Sequence, residues 1–212
     1  MTRKLFWEDA YLTKLRTTVT GVVGDEVRLD STIFFAFSGG QESDAGTIGG
    51  YVVEEARKEA LDIVYRLDAG HTLEVGQTVD VVIDWPRRYR LMRMHFAAEM
   101  VLQLIYRHVS GITRIGAHIS PDRARIDFTH DTSLAGLLPL LLRETEALVQ
   151  ADLPIHTGYT EELLQRRYWR VDGFASMACG GTHPRTMGEI GTLSLRRRNP
   201  GKGKERIEIM FA

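Results

Sequence analysis

The sequence predicts an α+β protein in which a small β-barrel-like domain, residues 1–86, precedes an α+β domain, residues 87–212. Three observations lead to this prediction. Residues 15–53 are rich in Val, Thr, Ile and Phe, which favour strands. Beyond Pro86, a segment with apolar residues at helical spacing follows, built mostly from good helix formers. The chain then ends in alternating, strand-like segments.

The first domain is predicted to consist of short paired strands. Residues 15–37 form a hairpin that turns at Gly24 and Asp25. A glycine-rich loop, SGGQESDAGTIGG, then leads into a further strand. Two more strands are expected at residues 58–65 and 75–85.

The second domain is predicted to combine helices and hairpins. Its elements in order are a long helix over 87–111 with Gly111 as C-cap, a hairpin turning at Pro121–Asp122, a second helix over 133–154, a short third helix over 161–168 capped by Thr160, a strand over 168–174, and two final strands in 191–212. These elements define the α+β part of the fold.

Composition limits the class of protein. The 212 residues are 43% hydrophobic and 26% charged with a net charge of −1, as is ordinary for a soluble globular protein. Any nucleic-acid contact must therefore come from a local basic patch. A single cysteine forms no internal disulfide, and no apolar run reaches transmembrane length. We expect a cytoplasmic protein and favour a monomer.

Two pairs of residues suggest a metal site. Cys179 and His183 lie four residues apart in ACGGTH, where Gly180 and Gly181 are expected to supply the backbone freedom of the turn. His95 and Glu99 are at i and i+4 of the long helix, so both project from one face. Together these types of ligand suit Zn²⁺. Each pair alone also fits a simpler interpretation: a surface His–Glu hydrogen bond, or a buried, inert cysteine.

Five stretches occur in an order that resembles a known family. They are LDSTIFFAFSGGQESDAGTI, DWPRRYRLMRMHFAAE, ISPDRARIDFTH, ACGGTHPRTMGEIG and GKGKERIEI. The chain is similar to the editing region of alanyl-tRNA synthetases and to the stand-alone AlaX-type editing proteins of medium length. The resemblance implies an N-terminal β-barrel joined to the editing domain, the second additional domain type that threonyl- and alanyl-tRNA synthetases share.

The resemblance also implies a site. His95, Cys179 and His183 match zinc ligands, Gln41 is expected beside the scissile ester, and Thr182 is expected to shape the pocket. The alternatives are that Gln41 only closes its turn and Thr182 only caps one.

Two positions depart from the family pattern. Ser38 replaces the first glycine of Gly-Gly-Gly-Gln, and Glu99 replaces a second helical histidine. Glu99 could bind the metal directly, act as a general base beside a metal-bound water, or hydrogen-bond His95 in a site without metal. The sequence leaves these three alternatives open.

Basic residues form two clusters that could bind tRNA phosphates. The first surrounds the last hairpin and comprises Arg196, Arg197, Arg198, Lys202, Lys204 and Arg206. The second precedes the predicted ligands of the long helix and comprises Arg87, Arg88, Arg90 and Arg93. Either could instead be a solvated basic surface. His118 either lines an amino-acid pocket or is a hydrogen-bonded strand residue.

The function that the resemblance implies is hydrolysis, in trans, of tRNA(Ala) mischarged with serine, and of its glycine ester as a second substrate. A pocket built for alanine rejects such close analogues poorly, so a second, hydrolytic site is useful. Two alternatives remain. One is a non-catalytic tRNA-binding or metal-binding relative with a decayed site. The other is a metal-dependent hydrolase of another small ester, which would not need the basic hairpin.

Overall fold

The chain contains fifteen strands, three short 3-10 helices and two α-helices, α1 at Trp85–His108 and α2 at Leu138–Ala151. This computed structural model describes all residues, 1–212. The predicted α+β class is confirmed. The chain divides into two units: Met1–Ser38 with Glu42–Tyr89, and Gly39–Gln41 with Arg90–Ala212. The domain limits 1–86 and 87–212 stay a prediction.

The first unit is built from eight strands. They are β1 Arg3–Lys4, β2 Lys14–Val23, β3 Glu26–Leu29, β4 Ser31–Thr32, β5 Gly46–Ile48, β6 Tyr51–Glu59, β7 Asp62–Leu67 and β8 Thr78–Ile83. Six of them close into a barrel in the order β2-β3-β7-β6-β5-β8. Gly24 turns the β2–β3 hairpin with a positive φ of 61°, a conformation that glycine adopts without strain. Val27, Ile48 and Tyr65 are among its fully buried core residues.

One predicted strand in this unit is wrong in its bounds. The sequence predicts a strand over 58–65, whereas β6 runs to Glu59 and β7 begins at Asp62. The chain reverses between them at Ala60, whose φ is +52°. The predicted strand therefore spans a hairpin turn, because the residues on both sides have similar strand character.

Within the first unit, a buried ion pair joins the first turn of α1 to the loop before β5. Arg88 and Asp44 are both fully buried, and Arg88 Nε donates to Asp44 Oδ1 over 2.8 Å. A second Arg88 nitrogen donates to the Ala10 carbonyl. Asp44 in turn accepts from the Phe35 amide. Because these donors and acceptors are satisfied, the charges are tolerated in the interior.

The second unit contains the rest of α1, α2 and seven strands. The strands are β9 Thr113–Ile119, β10 Arg123–Thr129, β11 His156–Glu161, β12 Arg166–Val171, β13 Ala175–Ala178, β14 Leu193–Gly201 and β15 Lys204–Phe211. They form a four-stranded sheet, β14-β15-β10-β9, and a three-stranded sheet, β11-β12-β13. Residues of both sheets and of α1 and α2, such as Phe96, Leu141, Trp169 and Ile207, share one core.

The two helices begin and end where the sequence predicts, within a few residues. Asp84 caps α1 by accepting from the Arg87 amide over 3.0 Å. Pro86 lies in the first turn, where it is tolerated. Beyond the last turn of α1, Gly111 has a φ of +74°.

The predicted third helix is wrong. Thr160 does not cap a helix: its hydroxyl donates to the Arg166 carbonyl across the β11–β12 hairpin. Leu163 and Leu164 lie at the turn, 88% and 49% exposed. A helix over 161–168 would need a surface on which to bury these two side chains, and the flanking residues pair as strands instead.

No helix of the structure is both long enough and apolar enough to cross a membrane.

Candidate metal centre

Helix α1 supplies two of the candidate ligands. His95 and Glu99 are only 5% and 7% exposed, so they are not the surface pair that a His–Glu spacing often represents. The neighbouring Phe96 is fully buried and packs edge-on against Trp169, with ring centroids 4.9 Å apart. This packing fixes the rotation of α1, and with it the direction of His95 and Glu99.

The turn after β13 supplies the other two. The Cys179 amide donates to the Arg167 carbonyl and continues the pairing of β13 with β12. His183 is 7% exposed, and its ring packs edge-on against His95 at 5.1 Å. Cys179 is half-buried and Gly180 is exposed. This turn is therefore the least buried side of the cluster.

The four donor atoms converge on one small volume. His95 Nε2, Glu99 carboxylate oxygen, Cys179 Sγ and His183 Nε2 all lie within 4.8 Å of one another. His95 Nε2 is 3.1 Å from Cys179 Sγ and 3.2 Å from Glu99 Oε2. Glu99 Oε2 is 3.1 Å from His183 Nε2. The two predicted half-sites are thus brought together.

These distances are close to those around a tetrahedral ion. Zinc bonds of about 2.0–2.3 Å give ligand–ligand edges of about 3.3–3.8 Å in a tetrahedron. The three separations given above fall slightly short of these edges, whereas the widest separation among the four atoms, 4.8 Å, exceeds them. The side chains would therefore shift to surround one ion. His95 Nδ1 is buried and has no hydrogen-bond partner. A metal bound to Nε2 would therefore leave the proton of this ring on Nδ1.

The charges of the four groups depend on one another. Burial would raise the pKa of Glu99, but His95 and His183 outweigh it and hold that pKa well below its usual range. Burial and Glu99 would raise the pKa of Cys179, yet the same two histidines lower it. Burial would lower the pKa values of both histidines, but Glu99 and Cys179 raise them. The cluster thus favours an ionised carboxylate and thiolate beside protonated histidines. A metal would bind the two anionic groups and displace the proton from each histidine nitrogen that it occupies.

Gln41 and Thr182 lie together beside this cluster. Gln41 Nε2 donates to Thr182 Oγ1 over 3.0 Å, and the Thr182 amide donates back to Gln41 Oε1 over 3.4 Å. Both residues are essentially fully buried. Gln41 therefore fixes the turn that carries the candidate ligand His183.

The loop that carries Gln41 needs glycine at position 40. Gly40 has a φ of +91°, and a side chain there would meet the Ala117 carbonyl oxygen at 2.6 Å. The Gly40 carbonyl accepts from the Ile119 amide, which ties the loop to β9. Ser38, the departure from the family pattern, does not have a positive φ. A serine is therefore accommodated there without backbone strain.

Gly181 is required for a different reason from the one predicted. Gly181 does not have a positive φ, so left-handed backbone is not what requires a glycine at this position. A Cβ on Gly181 would instead meet His95 Nε2 at 2.6 Å and Gln41 Oε1 at 2.9 Å. Close approach to His95 requires the glycine, a spatial requirement that the sequence alone does not reveal.

The four arginines that precede the candidate ligands of α1 each bind an acceptor within the protein. Arg88 is buried against Asp44 and is not available to a phosphate. Arg87 and Arg90 pair with Glu42 and Asp122. Arg93 donates to the Ile190 carbonyl over 2.7 Å, and its guanidinium lies 4.4 Å from the Phe211 ring centroid.

The last hairpin is divided between paired and exposed cations. Arg197 pairs with the buried Glu205. Arg198 lies 3.4 Å from Glu208 and is half exposed. Arg206 pairs with Asp127. The remaining three predicted phosphate ligands, Arg196, Lys202 and Lys204, are exposed.

Comparison with known proteins identifies the family. The alanyl-tRNA editing protein AlaX-M of Pyrococcus horikoshii is 31% identical over 214 residues, which cover 99% of this chain and 97% of that protein. The chain belongs to the AlaX-M family of alanyl-tRNA editing proteins. The AlaX-M protein of Saccharolobus solfataricus is likewise 31% identical, over 98% of both chains. No protein-family model matches the chain.

The AlaX-M family is also related to larger enzymes. The alanine–tRNA ligase of Sulfurisphaera tokodaii is 31% identical over 225 residues, which cover 92% of this chain but only 24% of the ligase. The resemblance seen in the sequence is therefore confirmed at the level of the family.

Two arginines of β10, Arg123 and Arg125, were not among the residues predicted to bind phosphate. Arg123 is exposed and Arg125 is partly exposed. They alternate with Ala124 and Ile126, which are buried. This period of two in DRARID places both arginines on the face of the sheet opposite the core, a signal that the sequence does contain.

Proposed function

We propose that the protein is a zinc-dependent aminoacyl-tRNA hydrolase that deacylates mischarged tRNA(Ala) in trans. Serine is the first candidate for the wrongly attached amino acid, and glycine is the second. We assign the second unit to the editing-domain fold and the site of action to the cytoplasm. The observation that carries the proposal is the convergence of His95, Glu99, Cys179 and His183 in a member of the AlaX-M family.

We assign Glu99 as a direct ligand of the metal. Its Oε2 atom lies 3.2 Å from His95 Nε2 and 3.1 Å from His183 Nε2. Such short separations are expected between ligands that share one metal ion. With a thiolate and a carboxylate bound, a divalent ion gives a formally neutral centre. The family pattern, with a histidine in place of Glu99, would carry one more positive charge. When bound, zinc supplies positive charge that can polarise the substrate and hold its polar groups.

Thr182 and Gln41 are proposed to position the substrate. The Thr182 hydroxyl accepts from Gln41 and can donate its own hydrogen to a polar group of the substrate. Gln41, engaged at both ends of its amide, holds Thr182 in place. We therefore propose Thr182 as the residue that contacts the aminoacyl group and Gln41 as a positioning residue.

The reaction is an ester hydrolysis. A water oxygen bonds to the ester carbonyl carbon, and the bond from that carbon to the terminal ribose oxygen breaks. The ribose oxygen takes up a proton, and free serine and tRNA leave. A synthetase pocket discriminates against an added hydroxyl or a missing methyl group by only about 1–3 kcal/mol, so removing the wrong ester afterwards improves fidelity.

The tRNA backbone is proposed to bind exposed cations. Arg196, Lys202 and Lys204 remain the strongest of the predicted contacts, because they are exposed and no ion pair of theirs is seen. Arg198 can contribute through its exposed half. We rank Arg93 and Arg197 lower, since each already binds an acceptor of the same unit.

One experiment tests the proposal directly. Purified protein is incubated with tRNA(Ala) carrying radiolabelled serine, glycine or alanine, with and without a chelator. We expect faster release of serine than of alanine, loss of that release on chelation, and its return with zinc. Release that is unaffected by complete metal removal would refute the zinc assignment.

A second candidate function is tRNA binding without hydrolysis. The observation in its favour is that Glu99 contacts both histidines, so the four groups could also persist as an ion-paired cluster without metal. Zinc-loaded protein that binds seryl-tRNA(Ala) without shortening the lifetime of the ester would establish this alternative.

A further inference from the structure

The four-stranded sheet of the second unit has one face that carries charged residues instead of core residues. In β10 and β15 the residues alternate between the core and this outer face, and Arg125 is paired with Glu208 and Asp127 with Arg206. Register with the flanking strands adds residues of β9 and β14 to the same face. The outer face includes His118, Arg123, Arg125, Asp127, Arg196, Arg198, Arg206 and Glu208.

Positive charge dominates this outer face. Five arginines stand against two carboxylates, which leaves three positive charges. Asp127 is held by both Arg206, over 2.6 Å, and Arg125, over 2.8 Å. Each guanidinium has five N–H donors, so these contacts leave most of the donors on the face unused. Arg123 and Arg196 are exposed.

A shallow cavity marks the centre of the outer face. Its volume is about 130 Å³, and it is lined by His118, Arg123, Arg125, Arg206 and Glu208. Four of these five side chains can present N–H donors. A site lined in this way suits an anion that accepts several hydrogen bonds at once, as a phosphate does.

The outer face begins where the Gln41 loop ends. Gln41 forms a bridge with Ile119, the last residue of the edge strand β9. Ile119 and Gln41 are buried on the side of the core, whereas His118, one residue earlier, is on the outer face. A chain whose end lies beside Gln41 and Thr182 can therefore continue over the β9 edge onto the arginines.

We propose that the outer face binds the phosphate backbone of the tRNA acceptor stem, with Arg123 and Arg125 as its principal contacts. This inference rests on the proposed function, which puts the aminoacylated end at the metal centre. Alternate residues of a strand are about 7 Å apart, comparable with the separation of successive phosphates along one nucleic-acid strand. Arg196 and Arg198 repeat this spacing on β14, so the stem would cross the sheet.

The test compares two double variants of the full chain. R123Q/R125Q removes two charges from the outer face, and Asp127 keeps its pair with Arg206. The matched control, R166Q/R170Q, removes two exposed arginines of the same unit, both paired with nearby carboxylates in the structure. Binding of uncharged tRNA(Ala) is measured from 50 to 200 mM KCl. Hydrolysis of a short, single-stranded 3′-CCA oligonucleotide carrying a seryl ester serves as a second readout.

We expect R123Q/R125Q to reduce the slope of log K against log salt by about two, since each duplex phosphate contact contributes about 0.9. Over this fourfold range of salt, the loss of affinity caused by salt should shrink by about tenfold relative to wild type. The control should keep the wild-type slope. Both variants should hydrolyse the short ester at the wild-type rate, because neither touches the metal centre.

The outcomes separate this inference from the proposed function. An unchanged slope in R123Q/R125Q overturns the inference, even if the wild type hydrolyses seryl-tRNA(Ala). Equal effects of the two variants on the slope, or an equal loss on the short ester, also overturn it. If no ester is hydrolysed but only R123Q/R125Q loses salt-dependent tRNA binding, the binding surface is supported and the proposed function fails.

Discussion

Replacing Gly181 by alanine tests the geometry of the metal centre with one added methyl group. The new Cβ would lie 2.6 Å from His95 Nε2, whereas ordinary contacts begin at 3.4 Å. Relief of this overlap requires a relative movement of about 0.8 Å. Ligand distances at a metal site tolerate only about 0.2 Å, so the imidazole cannot move that far and still bind the ion in the same geometry.

We expect G181A to bind zinc at least about tenfold more weakly than wild type, because even residues that only orient a ligand cost about 10–100-fold. Strain from the added methyl group should lower the free energy of unfolding by about 1–3 kcal/mol. Zinc affinity is measured by competition with a chromophoric chelator, and unfolding with urea. G136A is the matched control, since a Cβ on Gly136 meets nothing within 4 Å. Zinc affinity equal to that of G136A would show that His95 Nε2 is not a metal ligand at this position.

Three further predictions concern other charged residues. E99Q should lose at least about tenfold in zinc affinity while E99H retains it; equilibrium dialysis that finds wild-type affinity in E99Q would exclude Glu99 as a ligand. R88M should lower the free energy of unfolding in urea by about 3–5 kcal/mol, because it leaves the charge of Asp44 buried and unpaired. R87M breaks a more exposed pair and should lower the free energy of unfolding by less than about 1 kcal/mol. Similar losses in the two variants would contradict this prediction. Burial lowers the pKa of Lys4 to about 8, so between about pH 8 and its usual pKa the unfolded chain binds more protons and the free energy of unfolding rises with pH. K4M should abolish that rise, and a parallel pH profile in K4M would refute the assignment.

The ligand pairs were predictable because each lies within one local element. His95 and Glu99 are one helical turn apart, and helical geometry alone places both side chains on one face. Cys179 and His183 are likewise joined by a four-residue step. That the two pairs meet depends on packing between α1 and the β12–β13 hairpin, through the buried Phe96 and Trp169. No local pattern encodes that contact.

The burial and the partners of the basic residues, in contrast, were not predictable from the sequence. Four arginines before the candidate ligands of α1 look alike in PRRYRLMR, but Arg88 is fully buried while Arg90 is exposed against Asp122. The sequence shows how many charges are present, whereas the positions of Asp44 and Asp122 decide where each one goes. The partner in each case is more than 30 residues away.

The sequence by itself determined the α+β class, most of the hairpins and both long helices, because strand propensity, helical periodicity and turn residues act over a few positions. It also determined the family, through motifs such as CGGTH. Only the tertiary structure decided that Glu99 contacts both histidines, that Gly181 is needed for space, and that Arg123 and Arg125 share a face with Arg206. These facts depend on contacts between residues distant in the chain, where side-chain volume and charge are matched only after the elements pack together.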